Sequence, residues 1–136
     1  MLEFSILGHL EHDNVVKCFG RTLSSWPLED LTEVPATVLT MEYISGGELY
    51  EYVKVCGAFE EDVALLLFKQ LLEGLDYIHK RSVVHLDLKL DNIFVDGVLD
   101  LASSQSWLKI GDFGLSEFVG WPFKEAIQRC KGTTSF

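Results

Sequence analysis

At 136 residues the chain has room for one small domain. Its 21 acidic residues outnumber 11 basic ones for a formal charge of −10, which argues against nucleic acid or an anionic membrane surface as partner. Three widely spaced cysteines, Cys18, Cys56 and Cys130, form no C-x-x-C pair and fit a reducing, cytoplasmic setting better than a disulfide framework.

Taken in chain order, the acidic residues Glu3 and Glu11 near the start do not make the n-region of a secretory signal. His9 and His12 lie close together but have no partner ligands, so no metal site is expected there. Residues 23–35, with Ser, Asp, Glu and two prolines, read as a loop. The apolar run 37–44 reads as a strand and ends in Ser45-Gly46-Gly47-Glu48. Residues 61–81 predict a helix. Polar Lys69, Glu73, Asp76 and Lys80 recur on one side, while Leu67, Phe68, Leu71, Leu72, Leu75 and Ile78 fill the other. That polar stripe and the helix length exclude a membrane span, and no membrane insertion is expected. Ile93-Phe94-Val95 and Trp107-Leu108-Lys109-Ile110 read as two short strands around a loop rich in Ser and Gly. No internal repeat or low-complexity tract is present.

Chemistry concentrates in one stretch. His85-Leu86-Asp87-Leu88-Lys89-Leu90-Asp91-Asn92 is followed twenty positions later by Asp112-Phe113-Gly114. Each residue alone reads as a solvated loop position. As an ordered set they supply two carboxylates, a lysine and an amide, which suits phosphoryl transfer, where the protein's work is positioning and charge neutralisation. The pair of motifs resembles the catalytic loop H-R-D-L-x-x-x-N and the D-F-G of eukaryotic protein kinases.

The resemblance implies roles. Asp87 would orient the substrate hydroxyl and Lys89 would offset charge on the transferring phosphate. Asn92 and Asp112 would hold Mg2+, a hard cation that prefers oxygen ligands. Phe113, beside Gly114, would pack inward and set whether Asp112 faces the metal. The cofactors implied are ATP and Mg2+. Lys89 and the closing Gly132-Thr133-Thr134-Ser135-Phe136 match the serine/threonine type, with Thr133 reaching toward Asp87 and Lys89. Residues 37–44 resemble the strand and hinge between kinase lobes. Met41 would then be the gatekeeper, Glu42 and Ile44 would meet adenine through their backbone, Glu48 would reach the ribose and Phe94 would floor the pocket. Glu3 resembles the helix glutamate that pairs with the small-lobe lysine. Leu7, Cys18, His85 and Phe113 would stack as an apolar spine. Residues 96–106 exceed the family's tight turn and read as a surface insertion.

The fold implied is α+β, a two-lobed protein kinase-like fold in truncated form. Residues 1–44 would be a remnant of the small lobe, and 45–136 the first half of the large lobe. No G-x-G-x-x-G and no V-A-I-K lysine precede the hinge, and no A-P-E follows. The expectation is a fragment with little activity of its own; the alternative is a catalytically inactive, pseudokinase-like interaction module. Leu86 stands where many kinases carry Arg, and an apolar residue cannot pair with phosphate. Residues 117–131 contain no Ser, Thr or Tyr, so switching by phosphorylation in that stretch is not expected. The expected partner is a protein substrate. Glu48 and Asp91 lie where some kinases read basic residues near the target Ser or Thr. Without the helices that cover it in the family, the 61–81 helix should expose apolar surface.

Overall fold

The computed structural model describes residues 2–27, 32–97 and 108–119. Its backbone is organised by α3 (Glu61–Lys80), whose 20 residues follow the predicted period and stop at Arg81, the C-cap. The helix buries Leu67, Gln70, Gly74 and Ile78, positions three or four apart that share one face. Gly74 is required by proximity: a Cβ there would stand 2.9 Å from the Asn14 carbonyl oxygen and 3.0 Å from Ile110 Cδ1.

Two apolar clusters flank that face. One joins Ile6 and Leu7 of α1 (Leu2–Leu7) to Leu10, Val15, Ile78, Val83, Ile110 and Phe113. The other joins Leu49, Leu67, Ile93, Val95 and Leu108. Phe68 and Leu72, expected on the apolar side of the helix, are instead 56% and 48% exposed, so that face is wider than the core it meets.

Cys18, packed against the first cluster, begins an antiparallel ribbon of β1 (Cys18–Pro27) and β2 (Glu33–Met41). This corrects the reading of 23–35 as a loop: Leu23–Pro27 pair in register with Thr37–Glu33, and only 28–31 lie outside the described residues. The prolines mislead because both strands of a two-stranded ribbon are edges, where a missing N–H is tolerated. Leu23, Trp26, Val34 and Val38 favour extended backbone but stay exposed.

Beyond Met41 the chain crosses to α2 (Leu49–Cys56), a short helix ended by Gly57 at φ 76°. The crossing is pinned by backbone bonds from Gly46 N–H to the Val95 carbonyl (2.9 Å) and from Val95 N–H to the Gly47 carbonyl (2.8 Å). After α3, β3 (Val83–Val84) pairs with β6 (Glu117–Phe118), and β4 (Ile93–Val95) pairs with β5 (Leu108–Ile110). Leu108–Ile110 of the expected second strand are extended and paired; Trp107 and most of the 96–106 insertion lie outside the described residues. Among the described residues no helix is long and apolar enough to cross a membrane.

Candidate active site

The loop between β3 and the 3-10 turn Leu90–Asn92 draws its polar groups around Asp87. Lys89 Nζ lies 2.9 Å from Asp87 Oδ2. Asn92 Nδ2 donates to the Asp87 carbonyl at 2.8 Å and to Oδ2 at 3.1 Å. The Asp87 side chain is only 9% exposed, so its carboxylate is held in a fixed direction. The bond to Asp87 is also the largest cause raising the Lys89 pKa, keeping the amine charged. Asn92 is buried, and with its nitrogen committed to Asp87 its remaining polar atom is the amide oxygen.

His85 joins this loop to the segment after β5. Its Nδ1 accepts the Asp87 N–H at 3.3 Å, which fixes the neutral tautomer with the proton on Nε2; that proton is donated to the Gly111 carbonyl at 2.8 Å. Burial is the main cause lowering the His85 pKa, which agrees with a neutral ring. The ring meets Phe113 edge-on at 4.9 Å, and Phe113 is fully buried. Ser116 Oγ donates to the His85 carbonyl at 3.1 Å. Leu86 and Asp112 both take left-handed backbone, φ 65° and 55°, an uncommon conformation outside glycine, held here by these flanking bonds. Gly114 N–H donates to Asp112 Oδ1 at 3.3 Å. Of the expected spine, Leu7 and Phe113 share one cluster, Cys18 packs against it and His85 touches Phe113.

A cavity of about 410 Å³ opens beside this assembly. Met41, Glu42, Ile44 and Phe94 line it, as do Glu3 and Asp112; Glu48 does not, although its backbone bridges to Phe94. The Glu42 N–H is committed to the Lys17 carbonyl at 2.9 Å. Among the described residues, the Glu42 carbonyl and the Ile44 N–H meet no other backbone group. The Glu3 carboxyl pKa is raised, first by burial and then by the charge of Asp112. Gly111 permits the cavity floor to form, because a Cβ there would come within 2.7 Å of the Phe94 ring. Thr133 lies outside the described residues, as does most of 117–131.

Sequence reasoning passed over Val16 and Tyr43, which also line the cavity, and Lys109, whose Nζ sits 3.1 Å from Glu42 Oε2 in a largely buried ion pair. The signal for Lys109 was present: it sits between buried Leu108 and Ile110, so strand alternation points it to the opposite face.

Comparison with known proteins follows the same lines. The profile of the protein kinase domain matches residues 1–136. Serine/threonine-protein kinase SAPK9 of Oryza sativa subsp. japonica is 47% identical over 82% of the chain and 28% of its own length. SNF1-related protein kinase catalytic subunit alpha KIN12 of Arabidopsis thaliana is 35% identical over 86% of the chain and 20% of its own. Probable serine/threonine-protein kinase MARK-B of Dictyostelium discoideum is 38% identical over 86% of the chain and 14% of its own. The chain therefore spans well under a third of each relative. A match that runs from the first residue to the last leaves one conclusion about descent: this chain belongs to the eukaryotic protein kinase family.

Proposed function

We propose that the protein carrying this chain transfers the γ-phosphate of ATP to Ser or Thr of a protein substrate. The observation that carries the reading is the bonding of Asp87, whose largely shielded carboxylate is aimed by Lys89 and Asn92. In that reading Asp87 accepts or orients the substrate hydroxyl proton, and Lys89 offsets charge on the transferring group. Met41, Glu42, Ile44 and Phe94 bind the base, Glu48 reaches toward the ribose, and Thr133 helps seat the substrate. The donor chemistry fits magnesium: the uncommitted amide oxygen of Asn92 and the carboxylate of Asp112 are hard oxygen ligands. When bound, the metal would neutralise phosphate charge, while this chain's own residues hold nucleotide and hydroxyl in line.

Glu48 and Asp91 are exposed and suit a substrate with basic residues near the target. Leu86 cannot receive a phosphate, so activity should not depend on phosphorylation in 117–131. Residues 1–44 form the small-lobe part and 45–136 the large-lobe part in this scheme. A reducing cytoplasmic location accords with the free thiols Cys18 and Cys56.

The test uses the longest protein that contains these 136 residues, assayed with labelled ATP and Mg2+ on Ser, Thr and Tyr peptides. Asp87→Asn should lower transfer by about 10²-fold or more. Wild-type turnover by that variant, or transfer confined to Tyr, would sink the proposal. A second reading, a non-catalytic binding module, is favoured by one observation: no Lys or Arg lines the described cavity. It predicts nucleotide or protein binding without turnover, and the same assay separates the two.

A further inference from the structure

Leu86 is the strained step in the loop that carries Asp87. Its φ of 65° lies in the left-handed region, which a residue with a Cβ keeps only where its surroundings over-determine it. The peptide planes on either side of Leu86 set that conformation, and each is held by one side chain. The Leu86–Asp87 plane is held from within the loop, where the Asp87 N–H donates to His85 Nδ1 at 3.3 Å. The His85–Leu86 plane is held from outside it, where Ser116 Oγ donates to the His85 carbonyl at 3.1 Å. Ser116 is only 2% exposed, so water does not compete for that bond. Its backbone is anchored as well. Ser116 N–H donates to the Phe113 carbonyl at 3.0 Å, and the next residue, Glu117, pairs with Val84 of β3. A buried hydroxyl needs some acceptor, and any carbonyl would satisfy it. This one takes the carbonyl directly before the left-handed residue.

Resting on the reading of Asp87 as the group that orients the substrate hydroxyl, we propose that Ser116 is a positioning residue for transfer. Its hydroxyl holds the His85–Leu86 peptide in the plane that turns Asp87 toward the substrate. Lys89 and Asn92 then fix the carboxylate's final direction. Without the hydroxyl, Leu86 relaxes part of the time to an unstrained conformer and Asp87 is displaced with it. Losing one buried hydrogen bond shifts such a balance by about two- to tenfold. Ser116 does not line the nucleotide cavity, so the loss falls on kcat and leaves KM for ATP in place.

The test measures transfer from ATP with Mg2+ to Ser and Thr peptides by the longest protein containing these residues, with rates taken per mole of folded enzyme. Ser116→Ala should lower kcat by about two- to tenfold with KM for ATP unchanged. Ser116→Cys, which keeps a weak S–H donor, should fall between Ser116→Ala and wild type and serves if Ser116→Ala does not fold. Leu86→Asn supplies a residue that tolerates left-handed backbone, so in its background the penalty of Ser116→Ala should shrink toward none. A merely structural hydroxyl would lower stability without that coupling. Wild-type kcat in both Ser116 variants, or a Ser116→Ala penalty of the same size with and without Leu86→Asn, overturns the positioning role and leaves the kinase reading standing. A wild-type protein that transfers no phosphate overturns the kinase reading and the positioning role with it.

Discussion

His85 is the most informative residue to change, because three of its contacts can be separated by chemistry. His85→Phe keeps an aromatic ring against Phe113 but removes both ring nitrogens. The buried Gly111 carbonyl then loses its 2.8 Å donor, and an unsatisfied buried acceptor costs about 1–3 kcal/mol. The Asp87 N–H loses a longer, half-buried bond of 3.3 Å, which contributes about 0.5–1 kcal/mol. The expected loss is about 1.5–4 kcal/mol, a large share of the ~5–15 kcal/mol typical of a folded domain. His85→Gln restores a donor within reach of Gly111 while losing the edge-on stack, so its cost should fall below that of His85→Phe. Urea titration followed by circular dichroism reads both, provided the slope with denaturant is unchanged. A midpoint for His85→Phe equivalent to less than about 0.5 kcal/mol from wild type would refute the assignment of these bonds as structural links.

Gln70→Leu removes the acceptor of the Leu108 N–H (2.9 Å, buried) and should cost about 1–3 kcal/mol by the same urea assay; a neutral result would show that the strand finds another partner. Stability should also carry a His85-dependent pH slope. Burial holds the folded-state pKa below the ordinary 6.5, so the unfolded chain takes up the proton first. The contribution is full above about pH 6.5 and is lost as pH falls toward the folded value. Comparing urea midpoints between pH 7 and 5 should show a shallower fall in His85→Phe than in wild type. Phe68→Ser with Leu72→Lys should reduce self-association of the 136-residue chain in sedimentation velocity while shifting the urea midpoint little, since both side chains are about half exposed. A wild-type chain that is already monomeric with a sharp cooperative melt would contradict the exposed-face reasoning.

What could be read in the residues tracks how each element is buried. Helix α3 announces itself because one face packs on two clusters and the opposite one carries Lys69, Glu73, Asp76 and Lys80. The β1–β2 ribbon does not, because nearly every residue in it is exposed and no alternation of apolar and polar positions is imposed. Its prolines then dominate the local signal. Helix α2 was passed over for a related reason: in eight residues it fully buries only Leu49. At the candidate site, Asp87, Lys89 and Asn92 were legible because one short loop carries all three. The hinge was less so, because its available groups are backbone atoms that leave no mark on side-chain identity.

The placement of Asp112 shows a kind of order that no periodicity announces. The three residues of β5 and Gly111 after them are bonded from separate parts of the chain. Gln70 of α3 accepts the Leu108 N–H at 2.9 Å, and Asn14 donates its amide to the Leu108 carbonyl at 2.8 Å. The Asn14 carbonyl accepts the Ile110 N–H at 2.9 Å, and Val16 N–H donates to the Ile110 carbonyl at 2.9 Å. The Asn92 carbonyl accepts the Gly111 N–H at 2.9 Å, and His85 donates to the Gly111 carbonyl. Lys109 between them is in register with Phe94 of β4. A strand this short has little intrinsic stability, so its position comes from satisfying each buried peptide group from a different direction. That makes the residue that follows, Asp112, the end point of contacts from α3, the 14–16 segment and the Asp87 loop, and its left-handed backbone is sustained by them. Asn14 and Gln70 lie far from any catalytic motif in sequence, yet through β5 they hold the carboxylate that the motif names.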